Sequence, residues 1–241
     1  MKNVIKSTNN NLIKLVRKLS TKKNRDKYGL YVIETKKMID EAIQNDQNIK
    51  EILIREDISN NYKDANIIDT DIFNSISSLV TPDGYMAILE KKDDKDFLED
   101  TNILILDKIQ DPGNLGTLIR SAEAFGFNTI MSIDSVDFYN EKVLRSTMGS
   151  IFRLHLIEAK YEDLSKLNNH KILIADMDGV DFREMNNVER VAIVVGNEGN
   201  GISDEVKTYN HLTIKIPMLG KIESLNAGVS GSILMSHFRK G

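Results

Sequence analysis

The chain has 241 residues, of which 41% are hydrophobic and 28% charged, and it contains no cysteine. This composition is typical of a globular protein with a sizeable core, and it excludes disulfides and thiolate chemistry. No apolar run approaches the roughly eighteen residues that a membrane-spanning helix requires. Because residues 1–19 also lack the apolar core of a signal peptide, we expect a cytoplasmic protein without a membrane partner.

The formal net charge of −4 hides a strong asymmetry along the chain. Residues 1–27 carry nine Lys or Arg against one acid, Asp26, so the remainder, with 23 basic and 35 acidic residues, has a balance of −12. A basic segment on an acidic body indicates a polyanionic partner, since phosphate contacts dominate nucleic-acid affinity. A solvated helix face that binds nothing is the alternative. The candidate nucleic-acid contacts are Lys14, Arg17, Lys18, Lys22, Lys23 and Arg25.

The first part of the chain predicts a small α/β domain over residues 1–95. Residues 9–19 have apolar side chains at helical spacing and predict a short amphipathic helix. Strand and helix patterns then alternate, with strands in LYVIE, KEILIR and YMAILEK and helices in KKMIDEAIQN and around DIFNSISSL. The charge-rich stretch KKDDKDFLED has no apolar periodicity and predicts a linker.

The second domain, predicted over residues 100–241, begins with the continuous apolar strand NILILD. Further strand-like runs follow in NTIMSI, FRLHLIE, KILIAD, VAIVV and HLTIKIP, with helical segments between most of them. Strands that are apolar throughout and separated by helices predict a mainly parallel sheet covered on both faces. A final helix with several small residues is predicted from about Ser224 to Arg239.

Three glycine-containing turns follow apolar strands in this second domain. In the first, DPGNLGTLIRSAEAFG, Asn114 is expected to cap a helix that begins near Leu115 and carries Arg120. The second is GNEGNGIS, and the third, IPMLGKIESLN, places Ser224 or Asn226 near the start of the final helix. Each turn alone is equally compatible with an ordinary strand-to-helix connection.

The second turn has the spacing of a phosphate-binding loop but not its charge. From Gly196 to Ser203 it nearly matches G-x-x-x-x-G-K-[ST], yet Ile202 occupies the lysine position and Glu198 adds a carboxylate. A carboxylate beside phosphate oxygens is repulsive at short range. The loop is therefore a poor site for a triphosphate.

Together, in order and spacing, the three turns resemble the signature motifs of the SpoU/TrmH family of RNA ribose 2′-O-methyltransferases. The segments LRSTMGSIFRL, SLVTPDGYMAIL and NRDKYGLYVIETKKMIDEA are also similar to family segments, the last two to its substrate-binding domain. The resemblance implies a C-terminal SPOUT-type α/β domain with a deep trefoil knot, preceded by a small α/β RNA-binding domain. It also implies a homodimer.

The same resemblance implies S-adenosylmethionine as the cofactor, with no metal. This molecule carries a sulfonium and no phosphate, which suits a loop that has glycines for close approach and no lysine. By position in the motifs, the implied cofactor contacts are Gly196, Ile216, Met218, Gly220 and Leu225. The implied polar active-site residues are Asn114, Arg120, Glu198, Ser224 and Asn226.

Methyl transfer requires the ribose hydroxyl to be held opposite the leaving sulfur and to lose its proton. Arg120 is expected to bind the phosphate beside the target ribose and to stabilise negative charge on the oxygen, since an arginine stays protonated and is a poor base. Ser224 and Asn226 are expected to orient the hydroxyl or Arg120. Asn114 and Glu198 are expected to hold the loops.

The sequence departs from the family pattern at a few positions. Thr35 stands where a glycine is usual, and Gly228 and Gly231 lie in the final helix, which is expected to be softer or to pack unusually close. A mid-helix glycine costs about 1 kcal/mol relative to alanine.

Three other functions agree less well with the sequence than a methyltransferase does. The complete polar set argues against an RNA-binding protein of the same fold that has lost catalysis. Four histidines without ligand spacing argue against a metal-dependent hydrolase, and the absence of G-x-G-x-x-G argues against a dinucleotide-dependent oxidoreductase. The two-domain layout resembles family members that act on ribosomal RNA, and it favours the large subunit over transfer RNA.

Overall fold

The computed structural model describes residues 4–59, 62–92, 98, 100–185, 188–197, 199–222 and 224–239. The chain divides into two compact units. Unit 1 comprises Met1–Lys92 and Tyr139–Phe152, and unit 2 comprises Asp93–Phe138 and Arg153–Gly241. The predicted linker falls largely outside the described residues. As functional domains, the segments 1–95 and 100–241 stay a prediction.

Unit 1 contains a four-stranded mixed sheet with short helices. The strands are β1 (Leu30–Glu34), β2 (Ile49–Arg55), β3 (Asn66–Ile68) and β4 (Tyr85–Glu90), in the order β1-β4-β2-β3. Strand β4 is antiparallel to both of its neighbours, and β2 and β3 are parallel. The first helices are α1 (Asn11–Lys18), α2 (Lys22–Tyr28), α3 (Lys36–Gln44) and α4 (Thr70–Ile76).

The basic N-terminal segment is part of the core of unit 1. Ile13, Val16 and Leu19 are at most 4% exposed and share one apolar cluster with Phe73 and Met86. The amphipathic pattern of α1 therefore buries its apolar stripe on the sheet and leaves its charged face outside. The segment is not a detachable arm.

Unit 2 contains a six-stranded sheet in which every neighbouring pair is parallel. The strands are β5 (Ile103–Asp107), β6 (Thr129–Ile133), β7 (His155–Glu158), β8 (Lys171–Asp181), β9 (Val191–Gly196) and β10 (His211–Lys215), in the order β10-β8-β9-β5-β6-β7. This confirms the predicted α/β class and parallel sheet. The knot implied by the family resemblance stays a prediction.

The described part of the chain contains four further helices. They are α5 (Pro112–Ala124), α6 (Glu141–Thr147), α7 (Asp204–Lys207) and α8 (Ala227–His237), with 3-10 turns at Ser150–Arg153, Tyr161–Lys166 and Phe182–Glu184. Helix α6 lies between β6 and β7 in sequence but packs in unit 1. Within the described ranges, no helix has the length and apolar character needed to cross a membrane.

The parallel sheet is buried on both faces, as predicted. Ile103 and Ile105 of β5 share one apolar cluster with Ile202 and Val206 near α7. Because side chains alternate along a strand, the neighbouring residues point to the other face. There α8 packs on α5 and β9.

Helix α8 approaches α5 so closely that a side chain at one glycine position would collide with its neighbours. A Cβ on Gly231 would lie 2.3 Å from Cδ2 of Leu118 and 3.1 Å from Cγ2 of Val195. On Gly228 it would lie 3.2 Å from the side chain of Thr117. The unusually close packing expected for the final helix is therefore present.

Candidate active site

The carboxyl ends of neighbouring parallel strands open into one cleft in unit 2. Its walls come from residues 175–177 of β8, which follow the part of β8 that pairs with β9, from the end of β9 with the following loop, and from the segment between the end of β10 and the first turn of α8. The cavity volume is about 220 Å³. Ligands of open parallel sheets bind outside the carboxyl ends of the strands, where this cleft lies.

Four of the five predicted cofactor contacts line the cleft. Gly196 is at the end of β9, Ile216 and Met218 follow β10, and Leu225 precedes α8. Gly220 is exposed and is not among the lining residues. Gly220 therefore lies in the same β10–α8 loop as Ile216, Met218 and Leu225 but does not line the cleft.

Gly196 holds the loop after β9 against the end of that strand. A Cβ here would lie 2.4 Å from the carbonyl oxygen of Gly201 and 2.8 Å from Cδ1 of Ile202. Asn197 forms a bridge with Gly201, whose N–H donates to the Asn197 carbonyl at 2.8 Å. The glycine is therefore required for a tight return of the backbone rather than for an unusual dihedral angle.

The polar residues predicted for catalysis are distributed over the cleft and its surroundings. Ser224 lines the cleft and is exposed. Asn226 caps α8 by accepting from the N–H of Val229, and its amide donates to Oδ1 of the buried Asn114 at 2.8 Å. Arg120 lies on the exposed side of α5 and is not among the lining residues. Glu198 lies outside the described residues.

The predicted cap of α5 was wrong by three residues. The helix begins at Pro112, and Asp111 is the cap, accepting from the N–H of Asn114 at 2.8 Å. Proline favours the first helical position because it has no N–H to satisfy and its φ suits the helix. Asn114 is therefore inside the first turn, where its side chain is available to Asn226.

A buried carboxylate that the sequence analysis did not single out anchors the loop after β9. Asp107, at the end of β5, is fully buried and accepts from the N–H of Ser203 at 2.6 Å and from the hydroxyl of Tyr161 at 3.0 Å. Burial is the largest cause that raises the pKa of Tyr161. The hydroxyl therefore stays a protonated donor. A polar residue ending the apolar run NILILD was the available signal.

Asn197 is a second organising residue that the sequence analysis missed. Its Oδ1 accepts from the N–H of Gly199 at 2.8 Å and of Asn200 at 3.2 Å, and its amide donates to the carbonyl of Lys108 at 3.1 Å. An asparagine that bonds its own backbone two residues on defines an Asx turn. Here it also joins the second motif to the segment that leads into the first.

The cleft is mainly apolar and carries one charge of each sign. Branched and sulfur-containing side chains of Ile202, Ile216 and Met218 form part of its walls. Asp176 and Lys215 also line the cleft. No described residue of the loop after β9 is a lysine or arginine, so the loop lacks the cation that phosphate cradles use.

The residues predicted to contact nucleic acid belong to unit 1. Five are exposed, namely Lys14, Arg17, Lys18, Lys22 and Lys23. Arg25 is only 5% exposed, and its guanidinium donates to the carbonyl of Leu19 at 2.9 Å. This buried side chain therefore makes a structural contact, and its predicted contact with RNA stays a prediction.

Comparison with known proteins agrees with this geometry. Residues 101–236 match the SpoU rRNA Methylase family, and residues 10–87 match the MRM3-like substrate binding domain. A relative from Bacillus subtilis (strain 168), the 23S rRNA (guanosine(2553)-2′-O)-methyltransferase RlmP, is 32% identical, and the alignment covers 98% of both chains.

Solved structures show the same fold. The crystal structure of an RNA 2′-O ribose methyltransferase has 26% identity and a TM-score of 0.80, covering 98% of this chain and 97% of the other. The AdoMet-bound rRNA methyltransferase of Sinorhizobium meliloti has 24% identity and a TM-score of 0.84, covering 97% and 95%. The predicted fold class and the predicted RNA methyltransferase class are thereby confirmed. The chain belongs to the SpoU rRNA methylase family.

Proposed function

We propose that this protein transfers a methyl group from S-adenosylmethionine to a ribose 2′-hydroxyl of RNA, with large-subunit ribosomal RNA as the substrate. The observation that carries the proposal is the cleft formed by residues 175–177 of β8 and by the carboxyl ends of β9 and β10, which collects residues of the second and third motifs. The first motif is tied to it through the hydrogen bond between Asn114 and Asn226. The name of the Bacillus subtilis relative supports the choice of RNA.

The cleft fits S-adenosylmethionine better than a nucleotide phosphate. Its apolar walls suit an adenine ring, and backbone groups around Gly196 and Ile216 supply donors and acceptors for ring and sugar. The carboxylate of Asp176 is compatible with a ligand that carries a sulfonium and an ammonium. When bound, S-adenosylmethionine supplies the methyl group. Ile216, Met218 and Leu225 would hold it.

The chain's own polar residues have to position the ribose and assist the loss of its proton. Ser224, at the cleft wall, would hold the hydroxyl by a hydrogen bond. Arg120 would bind the adjacent phosphate and stabilise charge on the oxygen as the proton leaves. Asn226 and Asn114 would fix the start of α8 against α5. Glu198 would complete the loop of the second motif.

RNA would be held by the exposed basic residues of unit 1. Lys14, Arg17 and Lys18 lie on α1, and Lys22 and Lys23 open α2. The other face of α1 lies in the apolar core. Helix α2 is held by Arg25, which is buried and donates to the carbonyl of Leu19. Phosphate contacts of this kind give affinity without sequence specificity.

Further parts of the proposal concern assembly and location. Exposed apolar side chains recur in β8, in the β10–α8 loop and on α8; they are Met177, Val180, Leu219, Ile222 and Val229. Apolar surface of this kind is typical of a subunit interface. We therefore propose that the protein forms a homodimer through unit 2. We also propose that unit 2 contains the trefoil knot and that the protein acts in the cytoplasm.

The first experiment is calorimetric titration of the protein with S-adenosylhomocysteine, the product of the donor. Binding is expected, and its absence would contradict the proposal. The second is mapping of 2′-O-methylation in total RNA from a strain that lacks the protein. Loss of one methylated ribose in the large ribosomal RNA is expected. Loss in transfer RNA would name the other substrate class, and cofactor binding without any lost methylation would favour an inactive RNA-binding protein.

A further inference from the structure

Tyr28, at the end of α2, is unusual among the aromatic residues of this chain. The sequence has seven tyrosines, eight phenylalanines and no tryptophan. Among the aromatic side chains that the structure describes, Tyr28 alone is exposed, at 39% of its surface. Its hydroxyl forms no hydrogen bond with any described residue. The ring therefore faces solvent without the polar anchor that a tyrosine usually finds.

Two lysines from different helices converge on this ring. Nζ of Lys18, at the end of α1, lies 5.9 Å from the ring centroid, and Nζ of Lys27 lies 5.6 Å from it. Both distances fall within the cation–π range. Two ammonium groups near one ring make its surroundings positive, and this favours an anion close to the ring.

The surroundings of the ring add to the positive charge. Asp26 is the one acid of residues 1–27, and its carboxylate is 2.8 Å from Nζ of Lys91. This ion pair neutralises the acid that would otherwise offset the lysines. Lys22 and Lys23 are exposed on the same short helix.

We propose that Tyr28 is a base-stacking residue, and that Lys18 and Lys27 hold the phosphates beside the stacked nucleotide. This inference rests on the proposed function and names the form of its substrate, RNA with an unpaired nucleotide next to α2. In an A-form duplex the base faces are covered by their neighbours, so an aromatic ring reaches only unpaired bases. A stacking ring with flanking cations is the arrangement that single-stranded nucleic acids require.

The main alternative is a structural role in which the ring joins the ends of α1 and α2 through its lysines. An exposed cation–π contact of this type contributes about 0.5–1 kcal/mol. Its loss would lower the melting temperature and weaken the binding of all RNA forms alike. A stacking residue instead affects unpaired RNA selectively.

The test compares Tyr28→Ala and Tyr28→Phe with the unaltered protein. The probe is an unstructured RNA of about 12 nucleotides, used alone and annealed to its complement. We expect Tyr28→Ala to weaken binding of the unpaired RNA by about 5- to 100-fold, since stacking on an aromatic side chain has effects of this size. Tyr28→Phe should restore it, and duplex binding should change little in either variant. Equal losses for both RNA forms, or no loss at all, would overturn the proposal.

A direct signal is available because the chain has no tryptophan. Tyr28→Trp places a single tryptophan at the site, which can be excited separately from the tyrosines, and stacking of a base should quench its fluorescence when unpaired RNA is added. As a matched control, Lys23→Ala should reduce the salt dependence of binding for both RNA forms. Quenching by duplex as strong as by unpaired RNA would show phosphate contact alone and refute stacking. Binding of S-adenosylhomocysteine, measured on the same samples, tests the proposed function separately.

Discussion

Replacing Gly196 by alanine tests the most specific requirement of the cleft, the tight return of the loop after β9. The added Cβ would lie 2.4 Å from the carbonyl oxygen of Gly201 and 2.6 Å from its carbonyl carbon. A carbon–oxygen contact without repulsion needs about 3.3 Å or more, so this backbone has to retreat by about 1 Å. Backbone atoms have no rotamer that relieves such a contact.

The expected magnitude follows from this displacement. A methyl group added in a well-packed site lowers the folding stability by about 1–3 kcal/mol. Alanine is also more favourable than glycine in a strand by about 0.5–1 kcal/mol, and this offsets part of the loss. Because Gly196, Gly201 and Ile202 all line the cleft, the loop that moves is part of the binding wall. If the displacement is transmitted to the bound state, affinity for S-adenosylhomocysteine should fall by about 5- to 100-fold.

The assay is calorimetric titration with S-adenosylhomocysteine, combined with thermal unfolding. Gly199→Ala is the matched control, because among the described residues its Cβ would approach the side-chain oxygen of Asn197 alone, at 3.3 Å. This control is expected to bind as the unaltered protein does. Wild-type affinity for Gly196→Ala, with an unchanged melting temperature, would refute the reasoning.

Three further predictions follow from other residues. Arg120→Ala should reduce methyl transfer by about 10²- to 10³-fold in a single-turnover assay, with binding of S-adenosylhomocysteine retained, because the guanidinium is expected to stabilise charge on the oxygen. Thr35→Gly should raise the free energy of unfolding in urea by about 1 kcal/mol, since φ is 87° at this β-branched residue and strain there exceeds the small loss of the cap. Replacing Lys14, Lys22 and Lys23 by glutamine should lower the salt slope of RNA binding by about 0.7–0.9 for each lost phosphate contact. Near-normal turnover of Arg120→Ala would contradict the first prediction, and lower stability of Thr35→Gly would contradict the second. An unchanged salt slope for the glutamine variant would contradict the third.

The parallel sheet could be predicted from the sequence because its strands are buried on both faces. Such strands are apolar throughout, and all six runs predicted for the second domain are strands of the sheet. In the first domain, α2 was missed because KKNRDKY has no apolar periodicity, and its one buried side chain is Arg25. Strand β3 was missed because three residues carry too little pattern.

Side-chain contacts between segments that are distant along the chain could not be predicted from the sequence. Asp111 and Asn114 are both good helix caps three positions apart, so local preference left two choices. Asn114 contacts Asn226, which is 112 residues further along the chain. Only the packing of α8 on α5 brings the two amides together.

Deleting residues 1–27 would have seemed the natural test of RNA binding by the basic segment. The structure argues against it, because Ile13, Val16 and Leu19 are core residues of unit 1. Loss of their burial would cost about 1.5–3 kcal/mol for each side chain. Surface substitutions on α1 and α2 separate charge from stability, and a deletion does not.

The glycines of α8 connect the departure from the family pattern to the site. At Gly231 the missing side chain lets α8 lie against α5, and the hydroxyls of Ser121 and Ser232 then meet at 2.7 Å. The same approach sets the start of α8, where Asn226 reaches Asn114 at 2.8 Å. A helix propensity cost of about 1 kcal/mol per glycine is thus exchanged for close packing and two interhelical hydrogen bonds. The first and third motifs meet because of small residues that carry no chemistry themselves.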